Sequence, residues 1–400
     1  FDEFVEVGWS PGRTSSCYGD ELSGVHKYTG QLDCTPSAFG IVRNYVNASP
    51  LWAQAAIAAD AKCSLLSAAF NIVEGNTMTV VPKNAKTDRT ICYEPHGQIR
   101  PQLAVGGFIR QRLALHGIDL RDQSINQRRA TLASRTGHLA TIDLSSASDT
   151  VALELVRELL PPDWFALLNK LRSPTTQWPD GSVRRNAKFS SMGNGFTFEL
   201  ESMIFYALCS AITANVSVYG DDIILPTQSF SKARELLEFC GFTLNATKSF
   251  HDSHFRESCG TDVFCGLSCT PLYIRRFKGD DWFVLFHNGL RQWASVLPER
   301  RFAPLLKWIR ALSPSFEGCS SLGDGHYHVN FDEACPTRAR FGIEGWWFTT
   351  LTRSARVSHL YGDRLLGSFS GPMAIGALCV AVGPKPSRSV VDVTVDKRLF

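Results

Sequence analysis

The chain has 400 residues and a mass of 44.3 kDa, with 44% hydrophobic and 20% charged residues and a formal net charge of +3 at pH 7. That composition is globular, leaves room for two or three domains, and excludes both a disordered charged tail and a polycation that would bind nucleic acid by overall charge. Any basic surface must be local. Arginine does gather locally, at Arg110, Arg112 and Arg121, at Arg128, Arg129 and Arg135, at Arg184 and Arg185, and at Arg275 and Arg276; each group alone suits a solvated face, and together they could line a positive channel.

Twelve cysteines are scattered without regular pairing, some inside apolar segments such as FYALCSAI, which fits reduced thiols better than a disulfide framework. Cys259, Cys265 and Cys269 lack the paired spacing of a zinc site. The longest apolar run, MAIGALCVAV at 373–382, is too short to span a bilayer, and no basic-then-apolar segment opens the chain, so a soluble protein is expected. The chain opens on Phe1 in structured-looking sequence, from which we expect an amino-terminal portion to be missing. No repeat or low-complexity linker appears, which favours interlocked subdomains.

In chain order, LWAQAAIAADAKCSLLSAAF at 51–70 is rich in Ala and Leu and predicts a helix. TMTVVPKNAKTDRTI predicts a strand ended by Pro82, followed by a basic loop with Lys83, Lys86 and Arg89. HLATIDLSSASDTVALELVRELLPP predicts a strand over 139–144 with Asp143 at its carboxyl end, then a Ser-rich turn. A helix follows, with Val151, Leu155 and Leu159 along one face and Pro161 ending it. SSMGNGFTFELESMIFYALCSAI is a glycine-bearing loop running into a helix that carries Glu199 and Glu201 in its amino-terminal part. NVSVYGDDIILP at 215–226 predicts two strands joined by a two-residue hairpin at Gly220-Asp221, with Asp221 and Asp222 at the tip. SFSKARELLEFCGFTLNATKSF predicts a helix stopped by Gly241 and an edge strand carrying Lys248, and RESCGTDVFCGLSCTPLYIRRF a further hairpin. The remaining, aromatic-rich sequence is expected to be largely helical. This order predicts an α+β fold in which an antiparallel sheet backed by helices sets Asp143 and the Asp221-Asp222 tip on neighbouring strand ends.

Two like charges roughly 4 Å apart repel by about 4 kcal/mol at an effective dielectric near 20. The aspartate pair therefore needs solvent, as in an ordinary turn, or a cation. HLYGDRLL at 359–366 repeats Tyr-Gly-Asp, follows it with Arg364, and is expected to be a plain turn. Asp143, Asp221 and Asp222 on one ledge could hold two Mg²⁺ ions, with Mn²⁺ as a substitute, in the two-metal arrangement of in-line displacement at phosphorus. Lys83, Lys86 and Arg89 could neutralise a nucleoside triphosphate, and Lys248 could protonate the leaving pyrophosphate. The alternatives are a solvated basic loop and a lysine that guards a sheet edge.

Taken together, TIDLSSASD, SSMGNGFTFELES, YGDDII, GFTLNATKSF and FRESCG resemble, in order, the palm motifs of RNA-dependent RNA polymerases, specifically the replicase catalytic subunits of single-stranded RNA bacteriophages (leviviruses). VPKNAKTDR and GIDLRDQSINQR resemble the same enzymes' fingers. The likeness is strong over residues 78–276 and fainter outside them. It implies a right-hand polymerase fold: fingers over 1–138, a palm over 139–276 with a fingers insertion around 172–190, and a thumb and carboxy-terminal region over 277–400. It implies RNA-directed RNA synthesis from NTPs on a single-stranded RNA template, with nascent RNA as product, in the cytoplasm of a bacterial host and without a membrane. Asp143 and Asp221 become the principal Mg²⁺ ligands with Asp222 beside them. Asp149, Ser191, Gly193, Asn194 and Thr197 fall where the incoming ribose is sensed, its 2′-hydroxyl being what marks a ribonucleotide. Host partners are implied as well: translation elongation factors Tu and Ts and a ribosomal RNA-binding protein.

Two positions depart from the pattern. Glu201 stands four residues after Thr197, where many RNA polymerases carry Asn, and Leu267, Ser268 and Cys269 stand where phage relatives carry Val-Asp-Val. The rival readings are a reverse transcriptase and a truncated, non-catalytic RNA-binding polymerase fragment.

Overall fold

A computed structural model describes residues 9–10, 12–19, 24–59, 69–83, 87–272, 282–295, 301–313, 315–339, 345–356 and 390–399. Helices and strands are mixed throughout, and the chain divides into two units, one of residues 1–266 with 363–387 and one of residues 267–362 with 388–400.

The first unit opens with α1 (Gly24–Thr29), β1 (Leu32–Cys34), α2 (Phe39–Asn47), α3 (Pro50–Ala59) and β2 (Phe70–Ile72), which pairs in parallel with β1. Trp52, Leu32, Val42 and Val46 share a small core there. The helix expected over 51–70 is present as α3; residues 60–68 lie outside the described residues. The β-branched alternation then forms β3 (Asn76–Pro82) and β4 (Asp88–Tyr93), an antiparallel hairpin with Val81 opposite Arg89. Next come α4 (His96–Leu115), α5 (Ser124–Thr136), β5 (Leu139–Ile142), α6 (Ala147–Thr150), α7 (Leu153–Leu159) and α8 (Pro162–Leu171). The small hairpin of β6 (Thr175–Gln177) and β7 (Val183–Arg185) joins the earlier one in a sheet of order β4-β3-β6-β7. The unit ends with α9 (Thr197–Ser210), β8 (Ser217–Tyr219), β9 (Asp222–Pro226), α10 (Phe230–Phe239), β10 (Phe255–Ser258) and β11 (Thr261–Phe264).

The main core surrounds the antiparallel sheet β5-β9-β8. Successive strand residues face opposite ways, so Ile142, Ile223 and Leu225 pack with Leu200, Ile204 and Phe205 of α9, while Ile224 and Leu139 pack with Ala130 and Ala133 of α5. The sheet is thus backed by helices on both faces, and its strand ends are fixed from two sides.

Two expectations change in this unit. The helix expected through Val151 to Leu159 starts only at Leu153, and the Ser-rich turn before it winds into the short α6, because Val151 and Ala152 are extended and pair with the strand-like segment around Lys188: Phe189 N–H donates to Val151 O at 2.7 Å and Leu153 N–H to Ala187 O at 3.0 Å. The break shifts the helical phase, so Val156 is buried while Leu159 is exposed. Lys248 sits on a turn rather than an edge strand. Its segment forms isolated bridges rather than a strand, Phe250 to Thr141 of β5 and Leu244 to Leu144 just beyond it.

In the second unit, β12 (Leu267–Ser268) precedes α11 (Trp282–Ala294) and α12 (Ala303–Leu312), whose apolar faces close on Tyr327 through Val284, Leu290, Leu306 and Ile309. Beyond them the expected helix gives way to β13 (Glu317–Gly318), β14 (Tyr327–His328), β15 (Thr337–Arg338), β16 (Trp346–Arg356) and β17 (Val390–Leu399). The last two pair antiparallel from Trp347↔Leu399 to Arg356↔Val390. WWFTTLTRSAR and VVDVTVDKRL are rich in β-branched residues, and their pairing is non-local, which obscures it in a linear reading. Arg275, Arg276, the second Tyr-Gly-Asp and the apolar run 373–382 lie outside the described residues. Among the described residues Cys34, Cys92, Cys209, Cys240, Cys259, Cys265, Cys319 and Cys335 are free thiols, and no helix among the described residues is long and apolar enough to cross a membrane.

Candidate active site

Tyr219 pairs with Asp222, leaving Gly220 and Asp221 as a two-residue loop. Gly220 has φ +63°, which a type II′ hairpin turn demands at this first loop position. A Cβ there would also lie 2.6 Å from the Phe198 ring. From below, the Ser202 hydroxyl of α9 accepts the Gly220 N–H at 3.0 Å, so the helix fixes the tip that presents Asp221. On the other face, Asn126 of α5 donates Nδ2–H to the Asp222 carbonyl at 3.0 Å and accepts from the Ser217 hydroxyl at 2.5 Å.

β5 and β9 are in register to Ile142↔Ile223, and one step further this register sets Asp143 across from Asp222. The Asp143 carboxylate accepts from Asn245 Nδ2 at 2.8 Å, and the Asn245 N–H donates to the Asp143 carbonyl at 2.9 Å. The Asp143 N–H donates to Ser249 Oγ at 3.1 Å. Residues 244–250 therefore clamp the strand end.

Burial raises the Asp143 carboxyl above its ordinary range, and Asp221 and Glu257 add to this against the Asn245 hydrogen bond and Lys248. Burial, with Asp221 and Asp143, pushes Asp222 up to about 6, although the Cys259 N–H and the Ser258 hydroxyl at 3.2 Å oppose the rise. Lys248 is half exposed and pairs with Glu257 at 3.3 Å. Desolvation would lower it, and Glu257, Asp143 and Asp222 together raise it. The three aspartates thus share one electrostatic field. They do not form a finished cage: among the described residues no three Asp, Glu, His or Cys side chains stand together as a metal-holding group, and Asp222 leans on Ser258. The donor set of hard carboxylate oxygens, too negative at neutral pH, fits Mg²⁺, which takes few protein ligands and completes its shell with water and substrate phosphates.

The glycine loop lies along the free edge of β4, where Cys92 N–H donates to Met192 O at 2.8 Å. Gly193 has φ +118° and so little room that a Cβ would lie 2.1 Å from the Cys92 carbonyl oxygen. Thr197 Oγ1 is occupied inside the loop, at 2.8 Å from Ser190 Oγ and 2.9 Å from the Ser191 carbonyl. Asn194 Oδ1 accepts the Phe196 N–H at 3.0 Å, whereas its Nδ2 is buried without a partner. The Ser191 hydroxyl is buried beside the Cys92 thiol without a well-formed hydrogen bond. Asp149 of α6 is ion-paired with Lys188 at 2.5 Å.

Glu201 is buried with Oε2 unpartnered. Burial, then Asp221, Glu199 and Asp149, push its carboxyl up to about 8. Glu199 itself is neutralised by Arg110 across from α4. A carboxyl raised in the folded state withdraws stability as pH climbs from its unfolded value, 4.5, through about 8. Without divalent cations, Glu201→Gln is therefore expected to match the parent at pH 4 and to be more stable at pH 8.5, by up to about 5 kcal/mol. Thermal melts across that range check the divergence.

Lys83 and Arg89 are exposed on the β3–β4 hairpin, and Lys86 lies outside the described residues. Several other arginines have local duties that take them out of a continuous channel: Arg110 with Glu199, Arg121 with Asp119, Arg129 with Asn215 at 2.6 Å, and Arg184 over the Trp178 ring at 4.2 Å. Sequence reasoning missed Ser202, Asn126 and Asn245. All three lie inside segments singled out by resemblance, Ser202 ending SSMGNGFTFELES, Asn126 within GIDLRDQSINQR and Asn245 within GFTLNATKSF.

The sequence profile described as "RNA replicase, beta-chain" matches residues 3–355. The RNA-directed RNA polymerase subunit beta of Escherichia virus Qbeta is 46% identical over 262 residues, 63% of this chain and 44% of that protein. The subunit of Enterobacteria phage SP is 48% identical over 229 residues, 55% of this chain and 40% of that protein. The beta chain of Escherichia phage MS2 is 43% identical over 274 residues, 65% of this chain and 50% of that protein. The chain thus spans half or less of the length of these relatives. A foamy viral protease-reverse transcriptase structure with double-stranded DNA aligns at a TM-score of 0.32 and 16% identity over 65% of this chain and 41% of that one, too weak a likeness to carry an argument.

Proposed function

Because the chain belongs to the RNA replicase beta-chain family, we propose that it carries the catalytic centre of an RNA-directed RNA polymerase that copies a single-stranded phage RNA from NTPs. The observation that carries this reading is the strand-end ledge, where Asp143 stands across from Asp222 and Asp221 crowns the adjoining hairpin. Asp143 and Asp221, with Asp222 beside them, would hold two Mg²⁺ ions, or Mn²⁺ in their place, which would supply Lewis-acid charge stabilisation for an in-line displacement at phosphorus.

The chain's own residues do the rest. Lys83, Lys86 and Arg89 bind the triphosphate. Lys248, kept protonated by Glu257, Asp143 and Asp222, serves as the acid for the departing pyrophosphate. The unpartnered Asn194 Nδ2, with Ser191, Gly193 and Asp149, reads the ribose, and Thr197 acts there by holding the loop through its carbonyl contact. In this reading residues 1–138 are fingers, 139–276 the palm with a fingers insertion around 172–190, and 277–400 the thumb and carboxy-terminal region. Elongation factors Tu and Ts and a ribosomal RNA-binding protein are the proposed host partners, in the bacterial cytoplasm.

The test is incorporation of labelled NTPs and, separately, dNTPs on a single-stranded RNA template with Mg²⁺, with and without the elongation factors. The expected result is NTP incorporation. Preference for dNTPs would favour a reverse transcriptase, and RNA binding without product under every condition would favour a non-catalytic RNA-binding protein.

A further inference from the structure

A continuous run of buried hydrogen bonds joins the four-stranded sheet to the glycine loop. Thr176 Oγ1 on β6 donates to Asn76 Oδ1 at 2.6 Å, and Asn76 Nδ2 donates to Glu94 Oε1 at 2.7 Å. Glu94 Oε2 accepts from Ser173 Oγ at 2.9 Å and from Gln102 Nε2 at 3.0 Å. Gln102 Nε2 also donates to the Leu171 carbonyl at 2.8 Å, and Gln102 Oε1 accepts the Gly195 N–H at 3.1 Å. Glu94 is 1% exposed and Gln102 0%. Glu94 and the Leu171 carbonyl both accept from the Gln102 nitrogen, and together they turn the amide oxygen toward the loop.

The loop backbone is seated directly on α4. A Cβ on Gly195 would lie 2.7 Å from Leu103 N, and one on Gly106 would lie 2.5 Å from the Gly195 carbonyl oxygen. On its other side the loop is fixed to β4 through Cys92 and Met192. None of the roles assigned above uses Glu94 or Gln102, yet an isolated carboxyl with no cation bonded to it is an expensive group to bury.

We propose that Gln102, oriented by Glu94 and the Leu171 carbonyl, is a positioning residue that fixes the backbone of loop 191–195 and thereby sets discrimination between ribo- and deoxyribonucleotides. This rests on the proposed ribose-reading role of that loop. Gln102 touches the loop amide and no substrate, so its effect passes through where Ser191, Gly193 and Asn194 stand.

Gln102→Met keeps the length of the side chain and removes both hydrogen-bonding groups. Gln98→Met is the matched control: Gln98 is also 0% exposed and donates to the same Leu171 carbonyl at 2.8 Å, but its oxygen accepts from Thr35 N–H rather than from the loop. In the full chain, Gln102→Met is expected to lower the ratio of kcat/KM for NTP over dNTP on the order of tenfold, chiefly by raising the NTP KM. Gln98→Met should leave that ratio within about twofold. An unchanged ratio in Gln102→Met, or an equal fall in Gln98→Met, overturns the proposal. Should Gln102→Met not fold, hydrogen exchange at the Gly195 amide of the unmodified chain decides: protection like that of α4 supports it, and exchange at the rate of an open loop overturns it. Absence of any incorporation by the unmodified chain would count against the proposed activity, while the Gly195 amide would still decide the positioning.

Discussion

Asp221→Asn is expected to reduce RNA synthesis by roughly 10³-fold or more, the scale on which removal of a major electrostatic group acts, without loosening the fold. The side chain stands on a two-residue hairpin whose geometry depends on Gly220, Ser202 and Phe198 rather than on the carboxylate itself. Its charge works against the apoprotein, since Asp221 raises Asp143, Asp222 and Glu201 together. The metal-free variant should therefore melt at the parent temperature or above it at pH 7.5. Calorimetry beside the incorporation assay separates this outcome from misfolding, which would lower both activity and melting temperature. An Asp221→Asn protein with full activity would remove the ledge from the mechanism.

Gly193→Ala should be the most damaging single-methyl change in the glycine loop. The residue has φ +118°, outside the range of ordinary L side chains, and the new carbon would be driven to 2.1 Å from a backbone oxygen of β4. The atoms it meets are all backbone atoms of Cys92, none of them a flexible side-chain end that could swing aside. The expected loss is about 3 kcal/mol or more, measured by urea denaturation, with synthesis falling because the loop is pushed off β4. Gly241→Ala is the internal comparison: Gly241 has φ +91° with nothing within 4 Å of a new Cβ, so it should lose only about 1 kcal/mol. Equal losses at the two positions would show that the contact with Cys92 is not a constraint.

The elements built from local pattern were legible in the sequence. Gly-Asp between two β-branched runs gave the hairpin, Gly241 the end of α10, and the alternation after Thr77 the β3–β4 pair. The placement of Asp143 next to the tip followed from element order, because an antiparallel sheet leaves few alternatives. What was not legible depended on distant partners. The break at Ala152 arises from pairing with Lys188, the turn at Lys248 from isolated bridges to β5 and just beyond it, and the long β16–β17 pair from residues far apart in the chain. In the site, carboxylates and lysines announce themselves by type. The neutral residues that hold the hairpin tip and the glycine loop, Ser202, Asn126 and Gln102, are ordinary in sequence and acquire meaning only when burial fixes the partners each must satisfy.

Titration of the full chain and of its Asp221→Asn form with Mn²⁺, followed by electron paramagnetic resonance with and without ATP, tests the central claim most directly, because it probes the ledge whether or not the chain completes a catalytic cycle. The account predicts that ATP strengthens Mn²⁺ binding to the parent chain and that Asp221→Asn abolishes this gain. Equal binding by the two proteins would contradict it.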